Sequence, residues 1–142
     1  MATGDFDIFV GIRPGCASSL PLDGEVACDI ADILLGACTE SLGKFGRVFR
    51  IQSDAASAVV ANVEGSGEFI ASIFIDHPCD VQLNYVDDCD NWADSQELAR
   101  FVFQALDALG KYEMFMTHDE EQLVEANFSH PDLEALEIFT YW

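Results

Sequence analysis

Residues 48–86 run VFRIQSDAASAVVANVEGSGEFIASIFIDHPCDVQLNYV, and four strand-sized segments follow one another here with no helical spacing between them. Val48–Gln52, Ala58–Glu64, Glu68–Ile75 and Val81–Val86 are each bounded by turn chemistry. Glu64-Gly65-Ser66-Gly67 and His77-Pro78-Cys79-Asp80 read as hairpin loops, since Gly, Pro, Asp and Ser supply the dihedral angles and local hydrogen bonds that tight turns need. Connections this short imply antiparallel neighbours, because a parallel crossover takes a dozen or more residues. The run Phe69-Ile70-Ala71-Ser72-Ile73-Phe74-Ile75 is apolar on both faces, which predicts an interior strand covered on both sides.

The flanks complete the pattern. On the N-terminal side, Phe6, Ile8, Val10 and Ile12 alternate against Asp7, Phe9 and Gly11, predicting a strand that Arg13-Pro14-Gly15 ends. Asp23 is placed to cap a helix whose apolar stripe is Val26, Ala27, Ile30, Ile33, Leu34, Ala37 and Cys38, with Gly43 and Gly46 as stops. On the C-terminal side, Asp94 to Leu109 predicts a second helix, with Leu98, Phe101, Val102, Ala105, Leu106 and Leu109 on one stripe, a capping box at Asp94 and Glu97, and Gly110 beyond its end. Tyr112–Thr117 predicts another strand. Thr117 and Glu120 propose a cap for a short helix carrying Leu123, Val124 and Phe128, which Ser129-His130-Pro131 breaks, and Asp132–Glu137 turns once more. Grouped strands with helices outside the group predict an α+β fold: one domain over residues 1–142, built on a mainly antiparallel sheet with two to four helices on one face.

Composition excludes several classes of function. Among 142 residues there are 6 Lys and Arg against 26 Asp and Glu, a net charge of −20, and half of the residues are apolar. Such a chain buries enough surface to offset its ordering entropy and is not a disordered acidic tail. Direct binding to nucleic-acid backbones needs concentrated Lys and Arg, which are missing. No apolar run approaches the roughly 18 residues of a membrane span. The opening Met1-Ala2-Thr3-Gly4-Asp5 lacks a basic segment followed by an apolar one, so the expected compartment is cytoplasmic. Cys16, Cys28, Cys38, Cys79 and Cys89 form no CxxC. With Cys28 and Cys38 on one predicted helix, about 15 Å of rise separates them, too far for a disulfide, so buried reduced thiols are expected.

The acids are unevenly placed. Residues 1–75 carry a net −6 and residues 76–142 a net −14. The densest stretches are Asp87-Asp88-Cys89-Asp90 with Asp94 and Glu97, and Asp119-Glu120-Glu121 with Glu125. A solvated surface that maintains solubility is one account, and adaptation to high salt is another. The third is a negative face for a basic partner: −20 exceeds the magnitude of about 2 to 8 that solubility asks of a small domain, and like charge destabilises a fold unless something compensates it. The partner-binding candidates are therefore Asp87, Asp88, Asp90, Asp94, Glu97, Asp119, Glu120 and Glu121. Trp92 stands among them as the aromatic anchor, since rings beside acids combine buried area with steering. Tyr112, Phe115, Tyr141 and Trp142 are expected in the core or at its edge. Lys44, Arg47 and Arg50, the one basic cluster, are expected to pair with the protein's own acids.

Other chemistry is weakly encoded. Asp87, Asp88, Asp90 and Asp94 carry the oxygens a hard cation wants, but counting an EF-hand loop from Asp88 puts Trp92 at its fifth position and Ala93 where Gly is required, so no metal is assigned. These carboxylates instead suit the positive end of the helix that follows. His77 near Cys79, and His118 before Asp119 and Glu120, lack the third group that nucleophilic catalysis needs, and His77 beside Pro78 reads as a turn residue. The expectation is a protein without catalysis, cofactor or metal.

In size, charge, α+β order and lack of a catalytic motif, the whole chain resembles the immunity proteins of bacterial toxin systems: small acidic cytoplasmic domains that bind one cognate toxin and block its active site or exit. The resemblance implies inhibition by occlusion, with acids around Asp87–Glu97 or Asp119–Glu125 meeting a basic toxin cleft and an aromatic at the centre. A nucleic-acid mimic and a carboxylate- or metal-dependent enzyme are the alternatives. Oligomeric state is not encoded in any motif.

Overall fold

The computed structural model describes residues 6–16, 21–43, 46–54, 56–62, 76–85, 92–118, 122–134 and 137–138. They form eight strands and three helices: β1 (Phe6–Ile12), α1 (Leu22–Leu34), β2 (Ala37–Gly43), β3 (Gly46–Gln52), β4 (Ala56–Asn62), β5 (Cys79–Tyr85), α2 (Trp92–Ala108), β6 (Tyr112–His118), β7 (Gln122–Ala126), α3 (Pro131–Glu134) and β8 (Glu137–Ile138). The strands make one sheet in the order β2-β3-β4-β5-β1-β6-β7-β8. Neighbours are antiparallel from β2 to β7, and the two-residue β8 joins β7 in parallel. This is the expected α+β domain.

β1 is the axis of the sheet. Ile8 pairs with Val81 on one side and Met116 on the other, and Phe9 with Asp80 and Phe115. Because side chains alternate along a strand, Phe6, Ile8 and Val10 all enter the face covered by α1 and α2. There they meet Val26, Ala27 and Ile30 of α1, Leu98, Ala99, Val102, Phe103 and Leu106 of α2, and Val60, Val81, Tyr112, Met114 and Met116 of the sheet. The opposite face has its own smaller core, where Phe9 stacks on Phe115 at 5.1 Å and Leu133 of α3 closes over both.

Several expectations are corrected. α1 does not continue to Cys38: Leu35 turns left-handed at φ 55° and ψ 43°, and Ala37–Gly43 returns as β2, so Cys28 and Cys38 lie on different elements. The residue before α1 is Pro21, and Asp23 lies inside the helix with its Oδ1 accepting the Gly24 N–H. The stripe of α2 is Leu98, Ala99, Val102, Phe103 and Leu106, while Phe101 and Leu109 face outward. Cys79 and Asp80 belong to β5 rather than to a hairpin loop, and Leu123 and Val124 belong to strand β7 rather than to a helix. Among the described cysteines only Cys79 is buried; Cys16, Cys28 and Cys38 are exposed. The predicted strand Glu68–Ile75 and the loop Glu64–Gly67 lie outside the described residues.

Candidate interaction surface

Three cations, Arg13, Arg47 and Lys111, are paired with the protein's own acids at the surface. Arg47 on β3 reaches Asp23 at the start of α1 (2.7 Å) and Glu40 on β2 (3.4 Å), with its guanidinium 5.4 Å from the centre of the Phe49 ring. Lys111 contacts Asp29 (2.8 Å) and Glu25 (3.3 Å) on α1. Arg13 contacts Asp107 (3.3 Å) and donates to the Gly110 carbonyl, fastening the end of β1 to the end of α2. The expected self-pairing of the basic cluster thus holds for Arg47. These contacts hold helix to sheet at three corners and engage five acids that the sequence alone leaves undistinguished.

The same architecture sets the pKa values beneath α1. Tyr112 is fully buried, and its hydroxyl donates to Asp29 Oδ2 at 2.5 Å. Burial first, and the hydrogen bond to Asp29 second, push its phenol far above the ordinary tyrosine range. The hydrogen bond to Asp29 raises the Lys111 ammonium, with Glu25 adding to it. Burial raises the Cys79 thiol well above its usual value. Cys38, although exposed, is raised by partial desolvation, helped by nearby Cys28 and Glu40. Neither thiol is activated as a nucleophile, since the thiolate is the reactive form.

Outside these contacts, Asp32, Asp54, Asp76, Glu97 and Glu134 are exposed acids. Glu97 belongs to an outward row on α2 that continues through Phe101, Gln104 and Ala108, at the spacing that keeps residues on one side of a helix. Phe101 is 57% exposed. The sequence predicts Phe101 in the core stripe and Trp92 as the anchor, yet a large ring stands in water here, one turn from a carboxylate. Trp92 and Asp94 are in the first turn of the same helix. Of the other predicted contact residues, Asp87, Asp88 and Asp90 immediately precede α2 in sequence, and Asp119, Glu120 and Glu121 separate β6 from β7; all six lie outside the described residues.

His77 and His130 lie on the opposite side of the sheet, whereas His118 pairs with Phe6 on the helix-covered side, their rings 4.9 Å apart. His77 is 2% exposed, with Nε2 3.0 Å from Glu113 Oε1 and its ring stacked on Phe128 at 4.6 Å. It is therefore a core residue and not an ordinary turn residue. It fits there because Gly11 lies beneath it: a Cβ at Gly11 would meet the Asp76 carbonyl oxygen at 2.4 Å. Cys79 enters the helix-covered core, so the sheet separates it from His77. A cavity of about 310 Å³ opens beside Phe128, lined by Leu123, Ala126, Leu133, Ser129, His130 and Glu134. His130 Nδ1 accepts the Asp132 N–H at 3.0 Å, which engages one of its two ring nitrogens within its own loop. Tyr112 and Phe115, both fully buried, are core residues as expected. Tyr141 and Trp142 lie outside the described residues. Among the described residues, no group of three or more His, Cys, Asp and Glu is placed to hold a metal ion, and no helix is long and apolar enough to cross a membrane.

Comparisons with protein-family models, with curated proteins and with solved structures find no match. The site residues therefore rest on geometry and charge alone.

Proposed function

We propose that this chain is a non-catalytic binding domain of the immunity-protein kind, which neutralises a basic cognate toxin by covering its functional surface. The contact is made by the outward side of α2, with Glu97 and Phe101, together with the acid stretches Asp87–Asp94 and Asp119–Glu121. The observation that carries this reading is the division of charge. Arg13, Arg47 and Lys111 are held by the protein's own acids, while a net −20 remains. That surplus lowers the stability of the isolated fold and raises the rate at which a cationic partner is captured. Phe101 adds what charge cannot: an apolar group whose burial on docking is worth on the order of 2 kcal/mol. The reading requires no cofactor or metal and places the protein in the cytoplasm, where it must meet the toxin before damage occurs.

The test is recovery of the partner from the source cell with the tagged full chain, followed by binding measurements across a salt series. A basic partner whose association slows as salt rises, and which Asp87→Asn/Asp88→Asn and Glu97→Gln chains compete for poorly, supports the reading. Binding that does not respond to salt overturns it.

A further inference from the structure

We infer that β2 is a self-association edge, through which two copies of this chain pair antiparallel to make one continuous sheet. Among the described residues, β2 ends the sheet and is bonded only to β3. Every one of its seven residues, Ala37-Cys38-Thr39-Glu40-Ser41-Leu42-Gly43, is exposed, and Leu42 is 85% so. In an antiparallel ladder alternate residues turn their N–H and C=O away from the bonded neighbour, so this edge offers a row of backbone donors and acceptors.

Proteins ordinarily blunt such an edge with lysine, proline, a bulge, a covering element or sheer shortness. At the far edge, the described part of β8 is two residues long. Among the described residues, β2 has none of these devices. Its register with β3 runs unbroken from Ala37↔Gln52 to Gly43↔Gly46, and its single charge, Glu40, lies 3.4 Å from Arg47.

Charge selects the occupant. Residues 37–52 carry one acid against Lys44, Arg47 and Arg50, a net +2, while the rest of the chain carries −22. A basic partner is drawn to the rest of the molecule and not to this hairpin. For a second copy the order reverses: edge-to-edge contact at β2 brings together the least negative parts of two strongly negative molecules. A two-fold antiparallel pair also closes, because each copy uses the same strand once. The contact is one strand wide, well below the roughly 1,200 Å² of a standard interface, so the dimer is weak and in rapid exchange. This inference does not depend on the proposed toxin contact, which uses α2 and the acid stretches.

The experiment is sedimentation of the full chain across a concentration series, with reductant present so that exposed Cys28 and Cys38 cannot cross-link copies. A monomer–dimer equilibrium is expected, shifting toward dimer as salt screens the net charge. The double variant Cys38→Lys/Leu42→Lys should weaken dimerisation at least tenfold. It lowers the net charge to −18, which alone would favour association, so a weakening reports on the edge itself. In the unsubstituted chain, amides of Cys38–Leu42 should exchange more slowly as protein concentration rises, which tests the edge even if the variant folds poorly. A monomer at about 1 mM protein in ~0.5 M salt, where the Debye length is only about 4 Å, overturns the inference. So does a variant that dimerises as tightly as the original, amide exchange indifferent to concentration, or growth into open-ended assemblies.

Discussion

The Tyr112 hydroxyl donates to Asp29 Oδ2, and Lys111 Nζ lies 2.8 Å from the same oxygen, so one carboxylate on α1 anchors two consecutive residues at the start of β6. Tyr112 is fully buried, and this contact gives the helix layer a fixed position along the strands in a way that apolar packing alone does not. Tyr112→Phe keeps the ring and removes the hydrogen bond. Asp29 retains Lys111, so the expected cost at neutral pH is about 1 kcal/mol, read from urea denaturation.

The same contacts predict alkaline sensitivity. Tyr112, Lys111 and Cys79 are all held above their ordinary values of 10.0, 10.5 and 9.0. For each, the folded protein keeps a proton that the unfolded chain gives up, so stability is complete below the ordinary value and falls as pH climbs past it. Urea midpoints should therefore hold up to about pH 9 and decline above it. Above pH 10 the decline should be shallower for Tyr112→Phe, because its unfolded chain has no phenol there to ionise. A midpoint that rises between pH 9 and pH 11 would contradict the assignment.

The end of α1 gives two opposed substitutions. Leu35 is left-handed and exposed, a conformation that costs a side-chain-bearing residue about 1–2 kcal/mol. Leu35→Gly should stabilise the protein by about 0.5–1 kcal/mol, after the extra freedom glycine gives the unfolded chain is allowed for. Gly36 differs: a Cβ there would meet the Gln52 carbonyl oxygen at 2.8 Å and its carbon at 2.9 Å. Both are backbone atoms of the neighbouring strand, so Gly36→Ala must separate β2 from β3 and should cost about 1–3 kcal/mol. Thermal melts of the two variants should move in opposite directions.

What the sequence makes legible follows the two periods. β1, β3, β5 and β6 show through their alternation, and α1 and α2 through their apolar stripes, because alternate strand residues and one side of each helix enter the core beneath the helices and the pattern records it. β2 is invisible to that logic. With all seven residues exposed it carries no alternation, and its Ala37 and Cys38 happen to continue the stripe of α1. The helix ends at Leu35, which takes the left-handed conformation that glycine usually supplies, so the sequence marks no stop there. β7 is hidden for a related reason, since each of its residues is half-buried. In α2, Leu98, Val102 and Leu106 fix the core line, but the flank could be Phe101 and Ala105 or Ala99 and Phe103; only packing against the sheet selects the latter. His77 could not be read locally, because its place depends on Gly11 and Glu113, which are distant in the chain.

Asn127, just after β7, ties β6 to α2 through one amide. Its Oδ1 accepts the Met114 N–H at 2.8 Å, and its Nδ2 donates to Asp107 Oδ1 (2.9 Å) and to the Tyr112 carbonyl (3.0 Å). Truncation to Ala leaves backbone groups of β6 without these partners, and the expected loss is about 2–3 kcal/mol. Asn127→Asp keeps the acceptor but sets a second carboxylate against Asp107. Its deficit should therefore shrink as salt screens the repulsion, whereas that of Asn127→Ala should stay constant, as urea denaturation at low and high salt will show.

Phe101 and Phe103 lie two residues apart on α2 and separate stability from binding. Phe103 is 2% exposed and packs in the main core, while Phe101 is 57% exposed. Phe103→Ala opens a cavity beneath the helix and should cost about 3–5 kcal/mol. Phe101→Ala removes contacts mainly with water and should change stability by no more than about 0.5 kcal/mol. If the outward side of α2 is the docking surface, Phe101→Ala should nevertheless weaken partner binding by ~1 kcal/mol or more, chiefly by faster dissociation, because an apolar anchor holds a complex that charge has steered together. Glu97→Gln should act on the other limb, slowing association while leaving dissociation nearly unchanged. Surface plasmon resonance with the recovered partner resolves both rates. Equal binding by Phe101→Ala and the original chain would move the contact away from this helix.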